Sequence, residues 1–397
     1  MVGKYQLSPY MACEHGCAYC DGRAEKYFVE GDFDTDVVVR TNLPKLLGTE
    51  LPKLREKGFV TVGSGITDSY QPIEAETGLM RKCAQVLAEY RQPVAVLTKS
   101  ALALRDIDLW SMVNEKSRFL FMVSLVHPDD STREIYEPGA STVDQRLDAL
   151  RRFKEAGCAT GMLAMPLLPG ITDTPEAVRR LYELAMEVGV DFVMPGGLTL
   201  RPGRQKEFFF TRLRQNHPNL LDLYRDIYRE ERASGSPINS YMRDVMQLSL
   251  ELNDEYRIPA NAPHRIYRRF LHRYDEVHVL LCHMADLYHH RRVDTRPLLQ
   301  AQKRYVDWLT ARKALYNRRP SWQYENLDAE LLQLCEEDES TSGDRHSAST
   351  PRGTATAPPR SLTGLIGNAR LAAFLRRVIV DRDVFDYVTL ETERAPE

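Results

Sequence analysis

No apolar run in this sequence approaches the length of a membrane span, which excludes a bilayer-crossing helix as an organising element. A large excess of charge of one sign is also missing: the formal net charge of −3 is too small to imply a partner by itself. Met1-Val-Gly-Lys4 does not begin a signal peptide, so a cytoplasmic protein with no membrane partner is expected. Cysteine is sparse and odd in number. Seven residues, three of them clustered, argue against a disulfide framework and for a reducing compartment. What is present is an ordinary globular composition, 43% hydrophobic and 27% charged over 397 residues, enough for one large domain plus an appendage.

The clustered cysteines carry the most information. Cys13-Glu-His-Gly-Cys17-Ala-Tyr-Cys20 has the spacing C-x3-C-x2-C, with an aromatic residue before the last Cys. Three thiolates so close in sequence suit three corners of an iron–sulfur cluster, whose usual ligands are cysteines. No fourth Cys lies nearby, so one iron would stay open to another ligand. The competing readings are a zinc site, which normally closes with four protein ligands and has His15 inside the loop as a candidate, or ordinary buried thiols. The motif resembles the cluster signature of the radical SAM enzymes. That resemblance implies a 4Fe–4S cluster whose open iron takes S-adenosylmethionine (SAM), and reductive cleavage to a 5′-deoxyadenosyl radical that abstracts hydrogen from a substrate.

Residues 7 to about 200 alternate short apolar runs with amphipathic patterns. Strands are expected at 7–12, 59–64, 93–98, 119–126, 160–166 and 191–199, and helices near 43–57, 74–90, 101–115, 142–156 and 175–188. Ser141-Thr142 and Thr174-Pro175-Glu176 are helix-start signals. Six β-then-α units with right-handed crossovers give an α/β fold, a partial (β/α)6 TIM-like barrel. In such barrels chemistry sits at the C-terminal strand ends. Here those ends carry the Cys loop, Gly65-Ile-Thr67-Asp68, Thr98-Lys99-Ser100, Ser124, Pro166-Leu-Leu-Pro-Gly170 and Pro195-Gly-Gly197.

Gly65-Ile-Thr-Asp-Ser-Tyr-Gln-Pro-Ile-Glu74, Leu97-Thr-Lys-Ser100, Arg105–Leu109, Glu137-Pro138, Arg146-Leu147, Glu155-Ala-Gly157 and Pro166–Asp173 together resemble the spore photoproduct lyase-like branch of radical SAM proteins, over about residues 7–215. The resemblance implies cluster ligands at Cys13, Cys17 and Cys20, and SAM contacts at Thr67, Lys99 and Ser124. It also implies a packing role for Tyr19 beside the cluster or the adenine edge, an electron donor such as flavodoxin or ferredoxin, and nucleic acid as a candidate partner. Two departures stand out. Where authentic spore photoproduct lyase has a hydrogen-donating cysteine this chain has Gly65, and after Cys20 it continues Asp21-Gly-Arg23 rather than with an aromatic residue. Cys83 and Cys158 are not placed to substitute. Thymine-dimer repair is therefore not expected, and no catalytic residue is assigned. Peptide, RNA or a small metabolite are alternative substrates; a non-catalytic zinc or iron–sulfur protein is the reading from another class.

The expected domains are a core barrel at 1–215, a helical extension at 216–335, a disordered linker at 336–362 and an amphipathic C-terminal helix or tail at 363–397. Residues 201–320 hold 23 Lys+Arg against 14 Asp+Glu. Within them Arg265, Arg268, Arg269 and Arg273 interleave with Tyr267 and Tyr274, as nucleic-acid grooves do, although a solvated helical face with core tyrosines is favoured. His283, His289 and His290 are likewise read as a surface face rather than a metal site.

Overall fold

A computed structural model of the chain describes residues 3–63, 65–317, 323–341 and 359–394. It divides into two compact units, Met1–Leu54 with Gly58–Ala262, and Arg55–Lys57 with Pro263–Glu397. Among the described residues no helix is long and apolar enough to cross a membrane.

The first unit is built on six parallel strands in sequential order: β1 (Gly3–Leu7), β2 (Phe59–Val62), β3 (Val94–Thr98), β4 (Phe119–Ser124), β5 (Ala159–Leu167) and β6 (Phe192–Gly197). Sequential parallel order requires a crossover after every strand. These carry helices α1 (Leu43–Glu50), α2 (Leu79–Glu89), α3 (Ile107–Lys116), α4 (Val143–Glu155) and α5 (Pro175–Val188). The result is the expected partial (β/α)6 barrel. β4 is buried along its whole length, the mark of a strand covered on both faces. Around it Trp110 stacks on Phe119 at 4.8 Å and Phe121 packs on Phe153 at 4.1 Å. The helix-start signals act as read: Thr142 and Gln145 form a reciprocal capping box, and Thr174 caps α5 with Pro175 at its first position.

Three expectations need correction. The first strand is not 7–12 but Gly3–Leu7. Pro9 has no N–H to give a ladder and Ala12 is left-handed (φ 66), so Tyr10–Met11 instead pairs antiparallel with Val38–Val39 in a separate ribbon. The helix expected at 74–90 is broken at Gly78 (φ 55) into Glu74–Thr77 and α2. The boundary expected near 215 falls inside α6 (Arg204–Asn216). The unit continues through α7 (Asn239–Glu255), whose Ser249 and Asn253 bond the Tyr182 hydroxyl, to a Val193 N–H donated to Pro259 O at 3.0 Å.

The second unit is helical, with its own core on Arg273–His290, Arg296–Asn317 and Glu325–Thr341. The tail read as one amphipathic helix is two, Leu362–Ile366 and Ala369–Arg376, separated at Gly367 (φ 74), and its apolar face joins this core through Leu365, Leu375 and Ile379. Of the expected linker 336–362, residues 336–341 continue a helix, Ser361 caps the next, and 342–358 lie outside the described residues. His283 is not on a surface face: it is buried and its Nδ1 lies 2.7 Å from the Tyr387 hydroxyl.

Candidate active site

The Cys loop leaves β1 and is clamped by the segment after β2. Ala12 O accepts from Thr67 Oγ1 at 2.8 Å and from Gln71 Nε2 at 3.2 Å. Glu14 N donates to Gln71 Oε1 at 2.8 Å, and the Glu14 carboxylate accepts from Ile73 N at 2.5 Å. Gly16 turns the loop at φ 62, where a side chain would be strained. Gly22 lets the chain pass Ile66, whose carbonyl would lie 2.5 Å from an added Cβ.

Asp68 joins this clamp to β3. Its Oδ1 accepts from Thr98 Oγ1 at 2.7 Å and Tyr70 N at 2.8 Å; its Oδ2 accepts from Lys99 N at 2.7 Å and lies 3.2 Å from His15 Nε2. Burial opposes the charge, but His15 and the two backbone N–H groups hold the Asp68 pKa down at about 2. The other nitrogen of His15, Nδ1, is 2.9 Å from Gly139 O, and Gly139 N donates back to His15 O at 3.0 Å.

Lys99 projects from the end of β3 with its side chain 17% exposed. Its Nζ donates to Ser124 Oγ at 2.9 Å, and Ser124 in turn donates to Met165 O at 3.0 Å. Glu137 Oε1 is 4.0 Å from the same Nζ. Burial works against the Lys99 charge, and Glu137 outweighs it, so the pKa is raised. Glu137 itself is fully buried. Its carboxylate pairs with Arg146 at 2.5 Å and accepts from the Tyr19 hydroxyl, while Arg146 also donates to Ser124 O and Ser141 O at 2.8 Å. Burial would lift the Glu137 pKa, yet Arg146 and Lys99 hold it well below the usual carboxylate range. The pair is neutral as a whole, but it turns Glu137 Oε1 toward Lys99.

Cys13, Cys17, Cys20, Thr67, Lys99 and Ser124 line one cleft of about 260 Å3 at the C-terminal strand ends. Burial pushes all three thiols up, most for Cys13 and Cys17. Among the described residues no three His, Cys, Asp or Glu side chains form a ready site for one metal ion. The six residues expected to hold the cluster and SAM thus line one cleft. Leu163, Met165, Leu198, Thr199, Asp21 and Gly65 are among the other residues that line the cleft. Asp21 accepts from Thr199 Oγ1 at 2.9 Å and Gln205 Nε2 at 3.0 Å. Nothing lies within 4 Å of a Cβ added at Gly65, so that wall is open. Tyr70, the one alternative hydrogen donor on this loop, turns away: it is buried, donating to Asp106 at 3.1 Å and accepting from Trp110 Nε1 at 2.7 Å. Cys83 and Cys158 lie in the main core. Sequence reasoning missed the work of Asp68, Glu137 and Arg146; all three lay in quoted segments, but nothing in those segments names their partners.

A family profile described as the Radical SAM superfamily matches residues 7–185. An uncharacterised protein of Mycobacterium tuberculosis (strain H37Rv) is 32% identical over 232 residues, covering 57% of this chain and 67% of the relative. An uncharacterised Methanocaldococcus jannaschii protein is 26% identical over 221 residues, 55% of this chain and 79% of its own length. Among solved structures, spore photoproduct lyase complexed with dinucleoside spore photoproduct aligns with a TM-score of 0.46 and 17% identity, over 63% of this chain and 73% of that one.

Proposed function

This chain belongs to the radical SAM superfamily, and from that premise we propose that it is an enzyme holding a 4Fe–4S cluster on Cys13, Cys17 and Cys20, with SAM beside it. The donor set fits. Three thiols line one cleft, and His15 has its ring nitrogens facing Gly139 O and Asp68, which argues against a closed zinc site with His15 as fourth ligand. When bound, the cluster and SAM supply an electron and a 5′-deoxyadenosyl radical; the electron comes from an external donor such as flavodoxin or ferredoxin.

The chain's own residues bind and orient. Lys99 Nζ has three donors and gives one to Ser124, leaving donors for the methionine carboxylate. Thr67 donates to Ala12 O, so its free lone pairs suit the methionine ammonium. Ser124 holds Lys99 in place, and Glu137, itself held by Arg146, favours the charged form of Lys99. Nucleic acid is the substrate class favoured by the resemblance of 65–74 and 166–173, with peptide, RNA and small metabolite behind it. The observation that carries this reading is the convergence of three thiols and a half-buried ammonium on one cleft. Anaerobically reconstituted protein given dithionite and SAM should form 5′-deoxyadenosine. Protein that carries the cluster and forms none would overturn the assignment.

A further inference from the structure

The second unit holds a buried arginine that no carboxylate pairs with among the described residues. The single turn His264–Tyr267 ends at Arg268, and Phe385 N donates to His264 Nδ1 at 3.0 Å, which brings the Arg382–Phe385 stretch against that turn. The two carboxylates nearby are already engaged. Glu276 is held by His264 at 2.9 Å and Arg382 at 3.0 Å; Asp383 is held by Arg377 at 2.7 Å. Arg268 is only 5% exposed; its backbone N donates to His264 O at 3.0 Å, but its side chain makes no hydrogen bond or ion pair among the described residues, and its Nε is buried without an acceptor. Arg382 Nη1 is buried without an acceptor too, and Arg269 stands exposed on left-handed backbone (φ 82). Burial first, then Arg382 and Arg269, depress the Arg268 pKa, and the engaged carboxylates Glu276 and Asp383 do not offset them.

We propose that Arg268, Arg382 and Arg269 form a phosphate-binding site. A buried guanidinium without an anion is costly, so the arrangement is explained by a ligand that supplies one. A carboxylate saturates one guanidinium fork. The donors left over here are the whole Arg268 fork, Arg382 Nη1 and Arg269, which match the several oxygens of a tetrahedral phosphate. Tyr267 and Tyr274, interleaved with these arginines in sequence, are buried and bonded to Tyr387 and Glu56, so the site offers charge without base stacking.

The test uses the full reconstituted chain, inorganic phosphate, and a short fluorescein-labelled oligothymidylate followed by anisotropy. Arg268→Gln and Arg382→Gln should each weaken binding about tenfold, as loss of a charge-assisted contact does, and flatten the salt dependence by about one unit of slope. The exposed Arg269→Gln should weaken it less. Arg296→Gln, an exposed arginine paired with Asp294, is the charge control and should bind as the wild type. Phosphate that displaces the oligonucleotide assigns the site to a nucleic-acid backbone; phosphate bound alone assigns it to a free or small-molecule phosphate. In phosphate-free buffer Arg268→Met should melt higher than the wild type, because it removes an unpaired buried charge. A lower melting point for that variant, failure of both probes to bind, or binding by all three arginine variants equal to the control would overturn the site.

Discussion

Asp68→Asn is the most informative single substitution, because it keeps the shape and removes only the second acceptor oxygen. The carboxylate receives Thr98 Oγ1 and Tyr70 N on one oxygen, and Lys99 N with His15 Nε2 beside it on the other. Whichever way the amide is placed, its NH2 faces a backbone N–H that cannot turn, Tyr70 N or Lys99 N. One buried N–H is therefore orphaned, at about 1–3 kcal/mol, and the bonds that survive lose their charge assistance. A loss of about 2–4 kcal/mol is expected, large against the stability of a domain.

The acid limb gives a second, independent reading. The folded pKa of about 2 lies below the ordinary 3.8, so the carboxylate's contribution is complete above about pH 4 and fades as the pH falls through 2. A depression of nearly two pH units corresponds to about 2 kcal/mol, in line with the hydrogen-bond estimate. Urea unfolding of cluster-free wild type and Asp68→Asn should therefore differ most at neutral pH and converge as the pH approaches 2. A difference below about 0.5 kcal/mol at pH 7, or one that does not shrink in acid, would refute the reasoning.

Replacing Cys13, Cys17 or Cys20 by Ala should each abolish the visible charge-transfer absorbance of the reconstituted protein; a triple variant that keeps it would remove the cluster from this loop. Lys99→Ala should leave that absorbance intact and weaken SAM about ten- to a hundredfold by calorimetry, from about 1.5–3 kcal/mol for a charge-assisted contact. Spore photoproduct dinucleotide should not be repaired, because no thiol beyond the three clustered cysteines lines the cleft among the described residues; multiple-turnover formation of thymidine dinucleotide by mass would sink that statement. Gly65→Cys should fold and keep the cluster, since the added side chain enters open space, and loss of the cluster in that variant would show the wall is closed.

The barrel was legible because β3 and β4 open as continuous apolar runs, β2 is interrupted only by Thr61, and two helices open on strong caps. β1 was not. Gly-Lys-Tyr-Gln-Leu is a half-exposed edge strand, and its polar residues hide it behind the more apolar stretch that follows Pro9. The tail's apolar face was legible, but not its partner, since amphipathicity says that a face is covered and not by what.

The site divides along the same physical line. Cys13, Cys17 and Cys20 are read from spacing because the loop that holds them is local. The place of Lys99 and Ser124 is read from topology, because a parallel barrel brings every strand end to one face, and their role from the family resemblance. The supporting charges obey neither rule. Tyr19 meets Glu137 across 118 residues of sequence, and His283 meets Tyr387 across 104, so no window of the chain contains both members of either pair. Glu137 in isolation is one more acidic residue, and His283 one more histidine on a helix. Only when the fold removes water does each require a partner, and the partner then fixes what it can do. Arg268 is the inverse case. Its place among basic and aromatic neighbours suggested a solvated face, yet the fold buries it without supplying an anion, and that missing partner makes it informative.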